Sequence, residues 1–358
     1  MFIKEYGYEY DALTDEALYR ETIGKTATKK YNGAYCLRSG RDALKVVARE
    51  YKNATILIPA LACDSMVQPF EQYNHNVIFY KYKDTLEIDF DYLLSLINKY
   101  KDSIIIFLFM NYFGIESISR ERINNLKKSF GNIVFLNDIT HTFPYEKKED
   151  FIADYTIVSL RKWVNIPDGG LLWAKKDLKN HSFDKDLSFF EKRLYAQNLR
   201  NKFLEIGDLS LKEEYRNIFS TVTEIINNSL QPSLMSEYSY EMLKKINFET
   251  IRKKREENAK TIIDILKREN KIKIIQKSNK NSNLYVPIVI DFRNEKQKVL
   301  SSFGIFNTII WPLRNKQKQL CRYARYIEEH ILAIPCDQRY TIEDMKHISY
   351  EIVRVINE

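Results

Sequence analysis

The run IIIFLFM at residues 104–110 is apolar at every position. A strand with one face in water alternates apolar and polar side chains, so an unbroken run predicts a strand covered on both faces. The flanking sequence follows the same grammar. Upstream, residues 55–58 predict a short buried strand ending at Pro59, and residues 77–80 predict another. Downstream, residues 133–136, 155–160 and 170–174 predict three more. Amphipathic stretches lie between them: 41–52 with Ala43, Leu44, Val46 and Val47 on a stripe, 90–100 with Leu93, Leu94, Leu96 and Ile97 on one side, and 118–130. Alternation of this kind predicts an α/β fold with a mostly parallel central sheet covered by helices.

Beyond residue 175 the pattern changes. Residues 176–231 are polar and helical and end near Pro232. A long helix is predicted over 236–266, apolar at Met242, Leu243, Ile246, Ile262, Ile263 and Leu266. A strand over 284–290 and a turn at Trp311-Pro312 follow. The last helix starts on a Thr341/Asp344 capping box and carries Met345, Ile348, Ile352 and Val355 on one stripe. The expected division is a large α/β domain over 1–240 and a smaller α+β domain over 241–358.

The 358 residues are 44% hydrophobic and 29% charged, the balance of a globular chain rather than a disordered one. No apolar run approaches the ~20 residues needed to span a bilayer, and MFIKEYGYEYDALTDE lacks the basic start and apolar stretch of an export signal. A cytoplasmic protein without membrane contact is expected. The four cysteines form no CxxC pair and the five histidines no HxxxH spacing, so no metal is expected. The net charge of +8 is scattered along the chain, which gives no ground for a nucleic-acid partner.

Four constellations fall where a parallel sheet places function, at the carboxyl ends of strands. Ser39-Gly40-Arg41 opens the first amphipathic helix. Its amides and dipole favour an anion, although Ser39 and Asp42 would equally make a plain helix cap. Asp138 follows the strand IVFLN, where it could cap a helix or pair with a cationic ligand nitrogen, and His141 stands one turn on. Lys162 ends Ser159-Leu160-Arg161-Lys162. After a buried strand, partial burial would lower its pKa and suit it to become a Schiff-base amine; in so basic a chain it could also be a solvated surface group. Pro167-Asp168-Gly169-Gly170 reads as a tight turn.

Taken in order, the segments SGRDAL (39–44), LIPALACDS (57–65), NDITHTF (137–143), SLRKWVNIPDGG (159–170) and LAIPCDQRYTIEDM (332–345) resemble the DegT/DnrJ/EryC1/StrS family of fold-type-I aminotransferases. That resemblance implies pyridoxal 5'-phosphate as cofactor, covalently held by Lys162. It gives Asp138 to the pyridine nitrogen, places His141 near the ring, and gives Ser39, Gly40, Arg41 and Ser159 to the phosphate. It also implies a homodimer, an amino-acid donor such as glutamate, and a keto-sugar acceptor, nucleotide-linked in many members. Substrate-side candidates are Tyr112 and Trp311, with Arg322, Arg325 or Arg339 for a carboxylate.

The chain departs from the family pattern in three places, one of them the lysine motif, which is shorter than the common form with Lys162 only three positions after Ser159. Cys63 stands where an aromatic ring usually covers the cofactor, and Gln231-Pro232-Ser233-Leu234 replaces the NxR that precedes Met-Ser. A lyase or desulfurase using the same cofactor, and a non-catalytic protein of the same fold, are the other readings. The family's sugar dehydratases carry histidine in place of the lysine, so Lys162 argues against them.

Overall fold

The computed structural model describes residues 4–7, 9–13, 15–145, 151–178, 182–275 and 283–358. Seven strands form the central sheet, in spatial order Tyr35–Leu37, Gly170–Ala174, Tyr155–Ser159, Ile133–Asp138, Ile105–Phe109, Thr55–Pro59 and Asn76–Tyr80. The last five run parallel, and Gly170–Ala174 runs against both its neighbours. Every residue of Ile105–Phe109 is buried, which is why that segment dispenses with alternation. The helices Gly40–Glu50, Phe90–Lys99 and Arg120–Ser129 each start on a polar side chain (Ser39, Asp89 and Ser119) that accepts from a backbone N–H of the first turn.

A second, antiparallel sheet has Tyr285–Val289 between Ile331–Pro335 and Lys273–Ile274. Val286, Ile288, Leu332 and Ile334 pack there with Ile262 and Leu266 of the helix Phe248–Leu266 and with Met345, Ile348 and Ile352 of Ile342–Asn357. The amino-terminal strand Tyr6–Gly7 pairs with Ile305–Phe306, and Tyr6 joins this same core. The Thr341/Asp344 capping box is present.

One expectation is corrected. The helix predicted over 236–266 is two helices, Glu237–Lys245 and Phe248–Leu266. Asn247 takes extended backbone between them, and its side chain accepts from Thr250 N at 3.1 Å. An asparagine that caps a new helix ends the old one, although the apolar stripe runs through.

The polar region carries the helices Ser188–Ile206, Leu209–Thr221 and Thr223–Asn228. The first ends on Gly207 at φ +77°, a left-handed cap open to glycine at little cost. Ala196, Leu199 and Phe203 then close on Tyr215 and Phe219 as a small separate core. Among the described residues no helix is long and apolar enough to cross a membrane, and no cluster of His, Cys, Asp or Glu could hold a metal.

Candidate active site

Asp138 is the last residue of its strand and registers against Ile157 of the next. The strand ends therefore bring Asp138 and the turn Leu160–Lys162 to one edge of the sheet. A cavity of about 140 Å³ opens there, lined among others by Ser39, Gly40, Arg41, Cys63, Asp138, Thr140, Ser159, Arg161, Lys162 and Trp311. A larger cavity, about 460 Å³, adjoins it and shares Arg41, Ser159, Arg161 and Lys162.

The glycine turn explains how the anion cradle reaches this edge. A Cβ on Gly170 would lie 2.3 Å from the Ser39 carbonyl carbon and 2.6 Å from Gly40 N, contacts with backbone that no rotamer change relieves. Only glycine lets the strand Gly170–Ala174 pass beneath the helix start. Gly40 in turn sits against Ser159, where a Cβ would stand 3.2 Å from the serine's own Cβ. Asp168, beside the glycines, accepts from Ser236 N at 2.8 Å and Ser236 Oγ at 2.6 Å. It fastens the helix Glu237–Lys245 to the turn.

The smaller cavity has one acid at its floor. Asp138 Oδ1 accepts from Thr140 N at 2.9 Å, and burial pushes its carboxyl above the usual carboxylate range, against the pull of Thr140 and of the Lys162 charge. Thr140 Oγ1 accepts from Ser159 N at 3.0 Å, which ties the two strand ends together. The Lys162 amine stands 5.8 Å from the centre of the Trp311 ring. The expected burial of Lys162 is corrected: its side chain is exposed in the single chain, because it projects from the turn into open cavity rather than into the sheet. Burial depresses Lys45 strongly, pushing it down to about 8. Lys45 donates to the carbonyl oxygens of Ile226 and Ser229 and lines neither cavity.

Other predicted residues fall into two groups. Gly40, Arg41, Ser159 and Trp311 line the smaller cavity. Ser39 does so too, but its hydroxyl is occupied within the cap, accepting from Asp42 N at 3.1 Å and donating to the Asp42 carboxylate. The Arg41 guanidinium donates to Asn227. His141 lies one layer back, edge-on to Trp311 and Tyr112 with ring centres 5.6 and 5.8 Å away. Burial first, and the Lys162 charge second, hold its imidazolium far below the ordinary range, so the ring is neutral.

The substrate-side expectation for Tyr112 is corrected: the residue is fully buried, its hydroxyl donates to Leu61 O, and it lines neither cavity. Arg322 and Arg325 are exposed outside both cavities. Arg339 lines the larger one, with its guanidinium clasping Asp337 at 2.8 and 3.0 Å.

Sequence reasoning missed the outer wall of the larger cavity. Phe219, Ser220 and Thr223 of the helical region form one side, and Gly7, Glu9 and Tyr10 of the amino-terminal segment form another. That segment is a strap of buried ion pairs, in which Glu5 meets Arg200 at 2.5 Å and Lys212 at 2.7 Å, and Glu9 meets Arg193 at 2.7 Å. It also braces the lysine turn. The Trp163 carbonyl accepts from Gln338 at 2.8 Å and Tyr10 at 3.2 Å, and Arg255 donates to Tyr10 at 2.6 Å. No local pattern marks these contacts, since the partners lie between 153 and 245 positions apart.

Among solved structures, an aminotransferase of Helicobacter pylori involved in the biosynthesis of pseudoaminic acid, PseC, superposes with a TM-score of 0.67 at 17% identity, over 99% of this chain and 100% of that one. The chain has the fold of these aminotransferases. A DegT DnrJ EryC1 StrS aminotransferase from Brucella abortus aligns at TM-score 0.63 and 12% identity, over 91% of this chain and 86% of that one. The E. coli GDP-4-keto-6-deoxy-D-mannose-3-dehydratase, with hydrated pyridoxal phosphate bound, aligns at 0.60 and 17%, over 98% and 100%. No family model and no curated protein matches the sequence. The mostly parallel seven-stranded sheet and the carboxy-terminal antiparallel sheet are thus the fold-type-I arrangement expected from the motifs.

Proposed function

We propose that the chain is a pyridoxal-phosphate-dependent aminotransferase that moves an amino group from an amino acid, glutamate in the first instance, to a keto-sugar. The carrying observation is that an exposed amine, a buried carboxylate and a helix amino terminus beside an arginine line one small cavity. This donor set fits the cofactor. Gly40 and Arg41 with Ser159 suit its phosphate, Asp138 suits its ring nitrogen, and Lys162 is the free amine able to hold it covalently.

When bound, pyridoxal phosphate supplies the electron sink that stabilises negative charge on a substrate carbon. The chain's own residues do the rest. Asp138, anchored on Thr140 N, would hold a proton at the ring nitrogen. Lys162, exposed in the single chain, would accept the proton from the substrate Cα and redeliver it. Neutral His141 backs Trp311 and adds no charge that would compete with Asp138.

The finer reading is a nucleotide-linked keto-sugar, for which the larger cavity has room, and a homodimer in which the partner covers the exposed Lys162. We further read the chain as a cytoplasmic enzyme built of units spanning 1–240 and 241–358, with the amino-terminal strand crossing to the second. The dehydratase among the similar structures makes the reaction, rather than the fold, the point to test. Purified protein loaded with pyridoxal phosphate and mixed with L-glutamate should lose the absorbance of the bound aldehyde and accumulate pyridoxamine phosphate. A cofactor spectrum that responds to no amino donor would contradict transamination.

A further inference from the structure

Four arginines line the larger cavity: Arg41, Arg161, Arg255 and Arg339. Three are committed. Arg41 donates to Asn227. Arg255 is saturated by Tyr10, Gln338 and the carbonyls of Asn283 and Leu284, and Arg339 clasps Asp337. Arg161 makes no hydrogen bond or ion pair among the described residues, and its Nε is buried without a partner.

The surroundings of Arg161 sharpen the point. Its guanidinium lies 5.1 Å from the centre of the Phe189 ring, and the Arg193 guanidinium lies 5.7 Å from the same ring centre. Burial, then the neighbouring Arg193 charge, disfavours its protonated form, with Arg41 adding to the effect. The acids in reach are spoken for, since Glu9 is bound by Arg193 and Asp168 by Ser236. Arg161 is half-buried, with its Nε shut away from solvent and without an acceptor, so a guanidinium facing the cavity is best satisfied by an anion that arrives from outside the chain.

Arg161 is adjacent to Lys162 in the chain, and both side chains line both cavities. An α-amino acid presents its carboxylate one carbon away from its amine. Building on the aminotransferase reading, we propose that Arg161 receives the α-carboxylate of the amino donor, which makes it a specificity-determining residue for amino acids over simple amines. The planar fork suits a carboxylate held by two parallel hydrogen bonds.

The test uses the cofactor-loaded protein and two probes, L-glutamate and maleate, a dicarboxylate that cannot be transaminated. In Arg161→Gln, the apparent dissociation constant for glutamate in the single half-reaction, and that for maleate by calorimetry, should each rise at least about tenfold, the loss of one charge-assisted contact. The cofactor's own dissociation constant should stay within about twofold, and Arg161→Lys should recover part of the loss because it keeps the charge without the fork. Unchanged binding of both probes would overturn the proposal. So would a parallel loss of cofactor affinity, which would assign Arg161 to the phosphate, or an effect confined to the keto-sugar half-reaction. Should Arg161→Gln fail to fold, a wild-type affinity for both probes in Arg161→Lys would overturn it equally. Wild-type protein that takes up no cofactor would instead remove the underlying aminotransferase reading, and this proposal with it.

Discussion

The two walls of the adjoining cavities are held by different forces. The inner floor, Asp138 to Lys162, hangs on adjacent strand ends and is fixed by sheet hydrogen bonds and one threonine bridge. The outer wall, residues 209–228 and the amino-terminal strap, is held by ion pairs that reach across the chain. Two lysines show the difference most clearly. Lys162 is exposed and free in the cavity; Lys45 is buried and spends its ammonium on the carbonyls that end the helix Thr223–Asn228. The floor carries the proposed chemistry and the wall is pinned by long-range ion pairs, so perturbing each should move different observables.

The largest effect belongs to the floor. Asp138→Asn should keep part of the cofactor affinity yet lower the turnover rate by about 10²- to 10⁴-fold, because a neutral amide cannot hold the ring proton. Steady-state kinetics at saturating cofactor checks this, and a near-normal rate would mean that another group protonates the ring.

Next comes the strap. Glu5→Gln leaves the buried Arg200 and the half-buried Lys212 around a neutral side chain, and should cost about 3 kcal/mol in denaturant unfolding. The pH dependence follows from the same pair. Burial pushes the Glu5 carboxyl up, but Lys212 and Arg200 outweigh it and hold the group below its usual value; Arg193 does the same for Glu9. A carboxyl depressed in the folded state contributes stability above its unfolded pKa, and that contribution is lost as pH falls through the folded value. Wild-type stability should therefore drop as pH falls below about 4.3, and Glu5→Gln should show a flatter acid limb in a melting series.

A smaller stability loss, about 2 kcal/mol, is expected for Gly170→Ala, whose Cβ has backbone on the far side. Here cofactor affinity should fall with stability, because the helix start at Gly40 is what shifts. Smallest of all, Ser220→Ala on the outer wall should change unfolding free energy by less than about 0.5 kcal/mol and leave the half-reaction with glutamate near wild type.

The same contrast separates what was legible in the sequence from what was not. The floor is local. An all-apolar run marks a covered strand, a residue just after it lies at the sheet edge, and a glycine pair announces a tight turn. Asp138, Ser159, Lys162 and Gly170 could therefore be singled out from short stretches of text. Trp311 was visible only as a Trp-Pro turn. The break at Asn247 was hidden by an apolar stripe that continues across it, since periodicity records which face is buried and not whether the backbone is continuous. Which lysine is buried is not legible in the sequence, because burial of a side chain depends on what folds over it. For Lys45 that is a helix end about 180 residues away. Arg161 stood between two more conspicuous residues, and only the saturation of its neighbours singles it out.

Reduction with borohydride after incubation with pyridoxal phosphate, followed by peptide mapping, tests the central assignment most directly. One cofactor-derived mass on the peptide containing Lys162 is the predicted result. No adduct, or an adduct on Lys45 in its place, would contradict it.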